Sequence, residues 1–69
     1  MTTKTSDRRP YYVAHNNRFS YVRGRDAAQA RLAEYLGVTT DAVKAARRAH
    51  NCAGLIERVN AAAARAAGV

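Results

Sequence analysis

Lys44, Arg47 and Arg48 stand three and four residues apart, just behind Thr40 and Asp41. On a helix that spacing gathers side chains on neighbouring positions. Cations grouped in this way suit phosphate oxygens, and Arg or Lys can also read guanine edges. Thr40 could hydrogen-bond a base, and Asp41 could accept from cytosine. A second group interleaves aromatic residues with cations: Tyr11, Tyr12 and Tyr21 with Arg18, Arg23 and Arg25. Such a surface could stack on bases or anchor a protein partner. Catalytic chemistry finds little material. His15, His50 and Cys52 are the soft metal ligands, and their spacing matches no zinc site. No Ser–His–Asp or Cys–His arrangement, paired carboxylates at a cleft, or Gly-rich phosphate loop is recognisable. The expectation is a binding protein, not an enzyme, with no metal, cofactor or small-molecule substrate.

The charge balance points the same way. Twelve Lys and Arg, ten of them Arg, face five Asp and Glu, for a net charge of +7 on 69 residues. Such an excess on so small a body attracts polyanions, nucleic acid first among them. Sixteen alanines limit the apolar area the chain can bury. With Cys52 as the lone cysteine, no internal disulfide can compensate, and a free thiol fits a reducing compartment. No stretch has the length and hydropathy of a membrane span or of a signal peptide. The chain is therefore expected to be soluble and cytoplasmic.

These groups must be positioned by local elements. Residues 1–9 are polar, basic and aperiodic and read as a flexible arm, in which Arg8 and Arg9 could reach a minor groove. Residues 10–23 read as a β-hairpin turning at Asn16-Asn17, because Asn tolerates the positive φ of a tight turn. That turn pairs Ala14 with Phe19 and Tyr12 with Tyr21. Their face is taken as the core side, although Tyr11, Val13, Ser20 and Val22 form one nearly as apolar. A helix over about 27–36 follows, with Asp26 and Gln29 as a capping box and Ala28, Leu32, Tyr35 and Leu36 as its apolar stripe. Gly37 ends it. Thr39 or Thr40 opens a helix over about 40–50. Asn51 opens a third over about 52–67, where Cys52, Leu55, Ile56, Val59, Ala62, Ala63 and Ala66 share one stripe. The expected fold is mainly α with an N-terminal β-hairpin: an arm, then a single domain over 10–69 with three helices.

The segment from Gln29 to Arg48 resembles a helix-turn-helix. Ala33 matches the small residue where the helices cross, Gly37 the turn glycine, and Leu32, Leu36, Val38 and Val43 the bracketing apolar positions. Thr39 matches the Ser or Thr that opens the second helix. Two short helices that cross closely need a small residue at the contact and a residue free to adopt positive φ in the turn. The resemblance implies that the second helix enters the major groove. Thr40, Asp41, Lys44 and Arg48 would then face bases, with Thr39, Arg47 and Arg31 within reach of phosphates. Ala46 departs from the family's larger apolar residue, and the hairpin precedes the motif, whereas winged forms place theirs after it.

Two functions follow as expectations. The first is a small DNA-binding transcriptional regulator. Leu55, Ile56, Val59 and Ala63 of the third helix would form a homodimer interface, and a two-fold dimer suits a palindromic site. The second is a protein-binding inhibitor of the kind carried by phages and mobile elements. It would act through Tyr11, Tyr12, Tyr21, Arg18 and Arg23, for example by covering the DNA-binding domain of one host regulatory protein. An RNA-associated role is permitted by charge but supported by no RNA-module motif.

Overall fold

The computed structural model describes residues 8–69 and runs β1 (Pro10–His15), β2 (Arg18–Arg23), α1 (Arg25–Leu36), α2 (Thr40–Arg48), β3 (Leu55–Arg58) and α3 (Ala61–Ala67). Most of the expected flexible arm, residues 1–7, lies outside the described residues. Arg8 and Arg9 are tied to the end of β2. The Arg8 carbonyl accepts from Arg23 Nη1 at 3.1 Å, and the Arg9 carbonyl accepts from the Gly24 amide at 2.9 Å.

The hairpin forms in the expected register, Tyr12 opposite Tyr21 and Ala14 opposite Phe19. Asn16 and Asn17 take φ of 49° and 64°. Two consecutive positive values are what a two-residue turn of this hand demands. The expected core face, however, is the wrong one. Tyr11 and Val13 are buried, and Val22 packs against the core they join. Tyr12, Phe19 and Tyr21 occupy the opposite face.

The larger correction concerns residues 52–67. The single helix expected there is a strand followed by a short helix, so the domain is α+β rather than mainly α with a hairpin. β3 lies antiparallel to β1, making a three-stranded sheet in the order β2-β1-β3. A lone hairpin leaves the far edge of β1 unpaired. Leu55-Ile56-Glu57-Arg58 fills that edge and places Ile56 opposite Val13 in the core. Gly54 permits the approach, since a Cβ there would collide with Leu32 and stand 3.2 Å from the Ala14 carbonyl. Asn51 caps no helix. Asn60 does so instead, its Oδ1 accepting from the Ala63 amide at 2.8 Å.

The apolar stripe proposed for dimerisation therefore does not exist. Ile56 belongs to the chain's own core, Leu55 is exposed on the other sheet face, and Val59 and Ala63 are half-buried. α3 packs near β1, and its Ala64 is buried outside the cluster formed by α1, α2 and the sheet.

That cluster is Tyr11, Val13, Ala28, Leu32, Ala33, Val43 and Ile56. It sits between the Tyr11/Val13 face of the sheet and the two longer helices. On the same side Tyr35 donates its hydroxyl hydrogen to Ser20 Oγ at 3.0 Å, pinning α1 to β2. No helix among the described residues is long and apolar enough to cross a membrane.

Candidate nucleic-acid interface

α1 begins two residues earlier than expected, at Arg25. Gly24 is its N-cap, with no side-chain cap bond. The Asp26–Gln29 capping box does not form: Asp26 lies within the first turn, and Gln29 Oε1 is buried with no hydrogen-bond partner among the described residues.

The other end of α1 follows the expected chemistry. Gly37 takes φ 72° and ψ 32°, and its amide bonds back to the Ala33 and Glu34 carbonyls. The Val38 amide donates to the Ala33 carbonyl at 3.0 Å. Left-handed backbone at this point lets the chain leave one helix and enter the next within three residues. Thr39 then caps α2, its Oγ1 accepting from the Ala42 amide at 3.2 Å. Ala33 is buried beside Leu32 and Val43. A larger side chain than alanine would hold α1 and α2 apart there.

Burial of Val43 fixes the rotation of α2. Thr40, Asp41, Lys44, Ala45 and Arg48 are exposed. Successive residues turn by about 100°, which sets Asp41, Lys44, Ala45 and Arg48 on the side away from Val43. Asp41 in the first turn and Arg47 and Arg48 in the last oppose the helix dipole favourably. Lys44 and Arg48 make no ion pair among the described residues. Arg31 does, its Nε 3.6 Å from Glu34 Oε1 on the exposed side of α1. In solvent such a pair is weak enough to be exchanged for a phosphate.

The structure therefore brings Thr39, Thr40, Asp41, Lys44 and Arg48 into one region. Arg47 departs from it, turning toward the sheet on the Val43 side of the helix and lining a cleft with Arg9, Arg25 and Arg58. Arg58 escapes sequence reasoning, because the Leu55–Val59 segment also fits a helical stripe and only pairing with β1 makes it a strand. Basic residues scattered over four segments give no local signal.

The aromatic group divides between the two faces of the sheet. Tyr11 is a core residue and unavailable as a contact. Tyr12 sits between Phe19 and Tyr21, with ring centroids 5.7 Å and 5.2 Å away. Phe19 is 62 % exposed. Arg18 lines a shallow groove with Tyr12, Phe19 and Leu55, while Arg23 holds the Arg8 carbonyl.

His15 is half-buried and donates from Nδ1 to the Ala53 carbonyl at 3.3 Å, joining the hairpin tip to the loop before β3. His50 takes φ 56° just past α2, and its amide bonds to the Arg47 carbonyl. Among the described residues no three His, Cys, Asp or Glu side chains gather to hold a metal ion. Comparison with family models, curated proteins and solved structures finds no match.

Proposed function

We propose that the protein binds duplex DNA through the outward face of α2, as a small cytoplasmic regulator of transcription that works by binding rather than catalysis. The observation that carries this reading is the construction of the α1–α2 corner. Gly37 turns the chain, Thr39 caps α2, Ala33 sits at the buried contact and Val43 is fully buried. That leaves one exposed helical face bearing Asp41, Lys44 and Arg48, with Thr40 exposed at its edge. A helix held at its start and buried along one side can enter a major groove without reordering. Lys44 and Arg48 supply phosphate or guanine contacts, and Thr40 and Asp41 add sequence preference. Thr39 and Arg31 flank this face and extend it toward the backbone, while Arg47 turns to the cleft beside it.

The test is fluorescence anisotropy of a labelled duplex at several salt concentrations. Binding is expected to be submicromolar at low salt and to weaken steeply, each phosphate contact adding about 0.9 to the log–log slope. Replacing Lys44 and Arg48 together by Ala should abolish it. A flat salt response, or binding indifferent to that double change, contradicts the reading.

A second reading rests on one observation, the partly exposed Tyr12–Phe19–Tyr21 cluster. Aromatic residues beside Arg18 suit a protein partner. A phage-type inhibitor of one host regulator would lose that partner on Tyr12→Ala or Tyr21→Ala and keep its fold.

A further inference from the structure

Arg9 precedes β1, Arg25 opens α1, Arg47 lies in the last turn of α2 and Arg58 ends β3. All four line one cleft of about 390 Å³, together with Gln29 and above the buried Tyr11 and Ile56. The fold alone unites them. Bringing like charges together costs free energy that a bound anion returns. Arg9 and Arg25 are already engaged within the chain. The Arg47 and Arg58 guanidiniums have no hydrogen-bond or ion-pair partner among the described residues.

We infer that this cleft binds a phosphate group, carried either by a nucleic-acid backbone or by a free oligophosphate. Planar guanidinium forks match phosphate oxygens in pairs, and two forks reaching in from different elements suit an anion with oxygens on several sides. Gln29 adds a polar group with an unmet need. Its side chain forms part of the cleft wall, and its Oε1 is buried with no hydrogen-bond partner among the described residues. The site lies beside the outward face of α2 and does not depend on that face binding DNA.

The test follows the Arg Nε–H and Gln side-chain amide resonances of the full chain by NMR, titrating inorganic tripolyphosphate against chloride at constant ionic strength. Saturable shifts at Arg47, Arg58 and Gln29 are expected. Arg58→Ala should weaken the affinity by roughly tenfold or more, since a charge-assisted fork is lost. Arg58→Lys should weaken it less, keeping the charge without the fork. Gln29→Glu, at a helical position away from the central core, should repel the anion. Shifts that rise linearly, spread over all arginines and ignore Arg58→Ala would overturn the assignment.

The source of the phosphate is decided by the same variant on a labelled duplex. If Arg58→Ala lowers the salt slope by about one unit, the ligand is the DNA backbone. If tripolyphosphate binding falls and the duplex slope does not, the ligand is a free oligophosphate. Loss of duplex binding in Lys44→Ala/Arg48→Ala with the tripolyphosphate isotherm intact separates this site from the α2 face.

Discussion

On one face of the sheet, Tyr11, Val13, Val22 and Ile56 meet α1 and α2. On the other, Tyr12 and Tyr21 are half-buried, while Phe19 and Leu55 are 62 % and 44 % exposed. The two faces come from the same strands and hardly differ in hydropathy. They differ in partner. The stripe of α1 is narrow (Ala28, Leu32, Ala33), so a helix can lie close over Val13 and Ile56. Three aromatic rings on the opposite face pack mainly on one another. Such rings gain from mutual contact while their polar edges stay wet. Hydropathy alone therefore does not choose a core face in so small a domain. The close approach of a helix and the arrival of a third strand choose it.

Substitutions can break this contrast, and the largest effect belongs at its centre. Leu32→Ala should cost about 2–5 kcal/mol, because Leu32 is fully buried between the helices and the sheet. Urea denaturation followed by circular dichroism measures the loss, a large share of the stability of a domain this size. Next comes Gly54→Ala. Its Cβ would collide with Leu32 and push β3 from β1, for about 1–3 kcal/mol. Thermal melting should show it.

Thr39→Ala removes the bond from the Ala42 amide and should cost about 1 kcal/mol. Lower helicity should accompany the loss, and duplex affinity should fall with it if α2 is the interface. Phe19→Ser should be mildest, under about 1 kcal/mol, because it removes one ring contact on a wet face. A Phe19 variant as unstable as Leu32→Ala would mean that the aromatic face, not the Val13 face, holds the molecule together.

What was legible in the sequence follows the reach of each rule. The hairpin register depends on Asn16 and Asn17, and the α1–α2 corner on Gly37 and Thr39; both are decided within a few residues. The core face of the hairpin depends on elements that come later in the chain. Leu55, Ile56 and Val59 fit a helical stripe and a strand about equally well. An unpaired edge of β1, more than forty residues upstream, decides for the strand. Asn51 and Asn60 are both good caps by type, and only the placement of β3 selects the second. The outward cations of α2 were readable from Val43 and helical spacing. The cleft of Arg9, Arg25, Arg47 and Arg58 was not, because four separate segments form it.

The proposed interface and the sheet's open face can be separated in one experiment. A two-dimensional ¹⁵N–¹H spectrum of the labelled protein, titrated with a short duplex at low salt, reports every backbone amide at once. Shifts concentrated at Thr39, Thr40, Asp41, Lys44 and Arg48, with Tyr12, Phe19 and Tyr21 unmoved, are the expected result. Shifts centred on Tyr12, Phe19 and Tyr21, or none that saturate, would contradict α2 as the DNA-binding face.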